Sequence, residues 1–115
     1  MKDKRITVVY KQPELEPKLV VMENSLRQMQ DLIGGYIEIG EYICKTRNEA
    51  LVIVCDEEGK LKKKEPNILS DHGAWIDVIV GPVFAAKISG EEFADMTETE
   101  AQVLMTHLRE AAFYG

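Results

Sequence analysis

The sequence predicts an α+β fold, a single domain spanning 1–115 with a mainly antiparallel sheet and two packed helices at about 25–33 and 97–112. Three observations predict it. A hairpin-like pair of strands opens the chain, further β-branched runs are separated by turn residues, and two segments carry apolar residues at the three- and four-residue spacing of a helix. At 115 residues the chain can bury roughly two thirds of the surface it exposes when unfolded, enough for one core.

The elements follow in order. Arg5–Tyr10 is rich in β-branched residues and stops before Pro13, so it reads as a first strand, with Lys18–Met22 as its antiparallel partner. Ser25–Ile33 places Leu26, Met29, Leu32 and Ile33 on one helical face. Ser25 with Gln28 matches a capping box, and Gly34 stands where a left-handed residue closes a helix. Tyr36–Ile39 alternates apolar and polar up to a bend at Gly40 and continues through Glu41–Cys44. Ala50–Cys55, apolar on both faces, predicts a central, covered strand.

Asp56–Lys60 reads as a tight hairpin turn in which Gly59 takes positive φ and the acidic side chains stay in solvent. Leu61–Asn67 is charged and ends at a proline, the pattern of a short edge strand. Asn67–Ser70 reads as one helical turn. Trp75–Val80 and Val83–Ile88, broken by Gly81-Pro82, read as the last sheet pair. In the final helix Thr97 and Glu100 form a capping box, and Ala101, Leu104, Met105, Leu108, Ala111 and Ala112 make one stripe, while Val103 and His107 point away.

Composition narrows the function. Acidic residues outnumber basic ones 20 to 14, and the excess is local: residues 89–115 hold Arg109 alone against Glu91, Glu92, Asp95, Glu98, Glu100 and Glu110. A pI near 4.9 argues against nucleic acid as a partner. No stretch reaches the roughly 20 apolar residues that cross a bilayer, and the charged start Met1–Arg5 lacks an apolar segment after it, so neither membrane nor secretion is expected. Cys44 and Cys55, both in strand-like runs, read as reduced, buried thiols of a cytoplasmic protein.

Chemistry-bearing residues are sparse. Asp56, Glu57 and Glu58, or Asp71 with His72, lack the spacing of a zinc or calcium site, and no metal or cofactor is expected. Gly34-Gly35 closes a helix instead of opening one, which excludes a phosphate loop. Lys60, Lys62, Lys63 and Lys64 are balanced by four acids within 56–65 and read as a solvated edge. His72, in a loop beside Asp71 and near Trp75, has the better setting for function; His107 reads as an exposed helix residue. Phe113-Tyr114 reads as an anchor for the C-terminal end.

Leu32-Ile33-Gly34-Gly35-Tyr36-Ile37-Glu38, then Cys55-Asp56-Glu57-Glu58-Gly59-Lys60-Leu61, Pro66-Asn67 and Asp77-Val78-Ile79-Val80-Gly81-Pro82-Val83-Phe84 resemble, in order and spacing over residues 5–110, the DUF3846 family of small proteins. The resemblance implies an origin in Gram-positive bacteria, their phages or other mobile elements, and no activity. It carries over no catalytic or binding residue. It leaves structural roles to Gly34, Gly35, Gly59 and Gly81, and Tyr42–Glu49 and Asp71-His72 match none of its features.

The expected function is therefore binding or regulation through contact with another protein, at a sheet edge or an acidic surface around Glu91, Glu92, Asp95, Val103 and His107. The alternative is a small-ligand protein or minor enzyme with a site at Tyr36, Glu38, Asn67, His72 and Trp75. A DNA-mimicking acidic surface is the weaker alternative, because a net charge of −6 gathered at one end lacks the even spacing of phosphates.

Overall fold

A computed structural model describes residues 4–113. Ten elements run β1 (Arg5–Lys11), β2 (Lys18–Glu23), α1 (Leu26–Ile33), β3 (Ile37–Lys45), β4 (Glu49–Asp56), β5 (Pro66–Asp71), β6 (Ile76–Val80), β7 (Val83–Ser89), β8 (Glu92–Ala94) and α2 (Glu98–Glu110). The main sheet has the order β2-β1-β7-β4-β3, with β8 added beside β7, and every pairing in it is antiparallel. β5 and β6 form a separate hairpin.

Strand alternation divides the core into two layers. Ile6, Val8 and Tyr10 of β1, Val52 and Val54 of β4, and Phe84 and Ala86 of β7 pack with Met29 and Ile33 of α1. The intervening Val9, Leu51, Ile53, Val83 and Ala85 pack with Leu104 and Leu108 of α2 and with Ile68 and Ile79 of the hairpin. The molecule is thus layered as α1, sheet, then α2 beside the hairpin. β4 is buried along its length after Glu49, as its two-sided apolar run predicts.

Both N-caps stand where the sequence predicts, although at α1 the box with Gln28 is only half made, since Ser25 N donates to Glu23 O. Ser25 Oγ accepts from Gln28 N at 3.2 Å, and Gly34 closes α1 at φ +79°. In α2 the capping box is complete: Thr97 Oγ1 accepts from Glu100 N at 3.1 Å and Glu100 Oε1 accepts from Thr97 N at 2.8 Å. Leu26, expected on the buried face, is instead exposed at the first turn.

Four expectations are corrected. Residues 67–70 are strand, because Leu69, Ser70 and their neighbours pair with β6, and the tail beyond α2 adds Leu69 N to Ala111 O and Phe113 N to Asn67 O. Trp75–Val80 and Val83–Ile88 do not pair together: β6 joins β5, whereas β7 lies between β1 and β4. Gly81 at φ +78° carries the chain from one sheet to the other. Residues 57–64 form a folded loop with no hairpin and no edge strand, and Gly59 keeps negative φ. Its role is close approach, since a Cβ there would lie 3.0 Å from Val80 Cγ2. Cys44 is exposed, because β3 is an edge strand whose register shifts around Gly40 and again between Tyr42 and Cys44; Cys55 is buried.

β8 escapes sequence reading, being three residues long. Phe113 is half-buried on β5, and Tyr114 lies outside the described residues. Replacing the fully buried Leu104 by alanine is expected to cost about 2–5 kcal/mol in chemical denaturation, since the cavity would open between α2 and the sheet.

Candidate functional site

The site is built around a buried carboxylate. Asp56 ends the central strand β4 with its side chain fully buried, and Lys62 and Lys64 approach Oδ2 at 2.9 and 2.6 Å while Glu58 N donates to Oδ1 at 2.8 Å. Burial by itself would raise this carboxyl's pKa. The Lys64 and Lys62 ammoniums and the Glu58 amide outweigh it and bring it down to about 2. Asp56 is therefore not in solvent, and the lysine cluster is not a simple solvated edge.

The same lysines serve α1. A helix leaves its last carbonyls without partners, and α1 has no basic residue in its last turn. Lys64 Nζ donates to Ile33 O at 2.9 Å, and both Lys62 and Lys64 reach Gly34 O at 3.3 Å. The glycines make room. A Cβ on Gly35 would lie 2.6 Å from Asp56 Oδ2, and one on Gly81 would lie 2.6 Å from Lys64 Cδ.

The 57–65 loop, pinned in this way, forms one wall of a cavity of about 280 Å³ between the main sheet and the hairpin. Glu38 and Gly40 come from β3, Cys55 from β4, Lys60 from the loop, and His72, Trp75 and Asp77 from the hairpin. Gly40 sets its depth, since a Cβ there would press on Cys55 Sγ at 3.0 Å and Ile79 Cδ1 at 3.1 Å. His72 stacks on Trp75 with ring centroids 4.3 Å apart, and its Nε2 lies 3.1 Å from Ser70 Oγ. Lys60 Nζ, 2.6 Å from Asp77 Oδ1, holds that carboxyl below its usual range against the opposing effect of burial. At the floor, burial and then the Glu38 charge push the Cys55 thiol up to about 12, so it stays protonated at neutral pH.

Three of the five ligand candidates therefore meet: Glu38, His72 and Trp75 share the cavity. Tyr36 does not line it; it precedes β3, is exposed, and contributes its carbonyl to Glu57 N. Asn67 is fully buried elsewhere. Its Oδ1 accepts from Lys11 Nζ at 2.6 Å and its Nδ2 donates to the carbonyls of Lys11 and Gly81. That pairing keeps a buried lysine solvated by amide oxygens, while burial lowers the ammonium's pKa and Glu16 partly opposes the shift.

The five interaction candidates do not form one surface. Glu91 and Glu92 lie beside the start of α1, in a groove with Leu26, Met29 and Ile37. Asp95 accepts from Thr7 N at 2.8 Å and joins the β8 end to β1. Val103 is half exposed on α2, across the sheet from α1, and His107 is half-buried with Nε2 3.3 Å from Glu41 Oε2 on β3. His107 is thus directed at the sheet edge and is not the freely exposed side chain its helical position predicted. Lys87, paired with Glu100 and Glu49, ties the start of α2 to the sheet.

Sequence reading missed the Asp56 node and the Lys11–Asn67 pair. The available signal was a pair of lysines, Lys62 and Lys64, a short way downstream of an aspartate that closes an apolar strand. Among the described residues no group of three His, Cys, Asp or Glu side chains is placed to hold a metal ion, and no helix is long and apolar enough to cross a membrane.

Acid should unmask the Asp56 network. The unfolded carboxyl titrates near 4 and the folded one at about 2, so the network's contribution is present above pH 4 and fades as pH falls toward 2. Asp56→Asn is expected to destabilise the fold by on the order of 2 kcal/mol at pH 7, with the gap to wild type closing as pH drops to 2 in denaturation curves taken across that range.

Residues 6–109 match the family described as Domain of unknown function (DUF3846), which covers nearly the whole chain, and the protein belongs to that family. No curated protein and no solved structure matches it.

Proposed function

We propose that this DUF3846-family protein acts by binding, and that the cleft between the sheet and the β5–β6 hairpin receives a cationic side chain, lysine or arginine, of a protein partner. One observation carries the reading: Glu38, His72 and Trp75, from separate segments, line a single cavity whose rim is acidic and whose wall is aromatic. Its lining holds Glu38, Asp56, Glu57 and Asp77 against Lys60 alone. Asp56 is neutralised from behind by Lys62 and Lys64, and Asp77 is engaged by Lys60. Glu38 and Glu57 are left to attract a cation.

Trp75 is 57% exposed with His72 stacked on one face of its ring, and a cation on the opposite face would gain about 0.5–1 kcal/mol at such a site. Catalysis is the less favoured use of the same groups. Cys55 is held as the thiol, and Ser70, fully buried and outside the cleft lining, serves to orient the His72 ring instead of attacking a substrate. A binding protein of this kind suits a regulatory part in the phage or mobile-element setting that the resemblance implies.

Trp75 is the chain's only tryptophan, so its emission reports on the cleft directly. Titration with capped arginine and lysine amides should change that emission saturably, and capped glutamate amide should not. Glu38→Gln should weaken the cation response about tenfold, or about 1.4 kcal/mol, with the melting temperature expected to stay unaltered as a control. An emission unmoved by either cation, or moved equally in the Glu38→Gln variant, refutes the reading.

A further inference from the structure

The five-strand path of the main sheet ends at β2 on one side and β3 on the other, with the three-residue β8 set beside β7, and these two end strands are built differently. β3 carries two register shifts, a glycine at position 40, and Glu38, Glu41 and Lys45 along its length. Bulges and charges of this kind are what keeps an edge from pairing with another chain. β2 has no bulge and carries charge only at its two ends, Lys18 and Glu23. It pairs with β1 through six consecutive positions without a shift, and its middle, Leu19-Val20-Val21-Met22, is uncharged and free of proline and glycine.

The side chains of β2 agree with its backbone. Leu19 and Val21 are 54% and 58% exposed, although Val9, directly across from Leu19, is fully buried beneath α2. The apolar surface of that face therefore runs out past α2 to the sheet's rim and stops there uncovered. On the other face Met22 is buried and Val20 packs against the α1 cluster.

We propose that two copies of this chain pair β2 to β2, antiparallel about a twofold axis at Val20, to make one continuous sheet. Strand alternation allows only registers that set like faces opposite one another, and the one centred on Val20 places Leu19 against the partner's Val21, and Val21 against the partner's Leu19. Each exposed side chain gains an apolar neighbour. Charge favours the direction: in this register Lys18 stands opposite the partner's Met22, one position from its Glu23, whereas an in-register parallel pairing would align lysine with lysine and glutamate with glutamate. The twofold consumes both β2 edges and leaves the two bulged β3 edges outermost, so assembly closes at the dimer and does not continue into a fibre.

Sedimentation equilibrium from micromolar to submillimolar concentration tests this directly. The wild-type chain should weigh twice 13.0 kDa. Leu19→Lys and Val21→Lys, at positions already exposed and so tolerated by the fold, should each return it to the monomer mass with an unchanged circular dichroism spectrum. Tyr42→Lys, at an exposed position on the β3 edge, should leave the dimer intact. A wild-type monomer throughout the range, or a dimer that survives both β2 substitutions, overturns the proposal.

Discussion

A carboxylate buried at the end of a central strand requires cations beside it, and the path of residues 57–65 is set by that requirement. Asp56 sits beyond the reach of water, and removing charge from one side of such a pair costs far more than an exposed ion pair would return. Lys62 and Lys64 are brought to it by a loop that folds back over Gly34 and Gly35, and the ammoniums then also satisfy the carbonyls at the end of α1. One interaction thus fixes three things together: the end of β4, the end of the first helix and the wall of the cleft.

The cleft is a by-product of how the second face of the sheet is covered. α2 lies over β1 and the middle of the sheet, while the hairpin packs through Ile68 and Ile79 near β4 and contacts β3 where Gly40 gives it room. Neither covers the end of β3 at Glu38, and the space that remains is bounded by the loop that Asp56 holds in place. The strands and the loop line one part of it, and Trp75 and His72, stacked on the turn of the two-stranded hairpin, line the other. An uncharged thiol at the floor, carboxylates at the rim and an aromatic wall are thus brought together in one cleft.

The fold was legible wherever local chemistry and tertiary placement agree. Both helices, their caps, the opening hairpin, the bend at Gly40 and the central covered strand could be read because their signals span only a few neighbouring residues. Reading failed where the deciding partner is distant. Residues 67–70 look helical in isolation and are strand because β6 and the tail beyond α2 pair with them. The chain's crossing at Gly81 from hairpin to main sheet has no local mark beyond a Gly-Pro break, so two successive strand runs read as neighbours. In the site, Glu38, His72 and Trp75 were recognisable as polar and aromatic groups flanking glycines. Asn67 looked equivalent to them because nothing near it in sequence shows that Lys11 claims its oxygen. The Asp56 node was hidden for the same reason, since its cations are six and eight residues away and on a loop that appears solvated.

The central claim is that Lys62 and Lys64 hold the 57–65 loop against β4 and α1. Hydrogen exchange resolved by residue measures it most directly, comparing wild type with a Lys62→Met, Lys64→Met double variant. The account predicts faster exchange at the Glu58, Lys62 and Lys64 amides, which donate within the loop or to Asp56, with β1 and β7 amides unchanged. Undiminished protection of those loop amides in the double variant would contradict it.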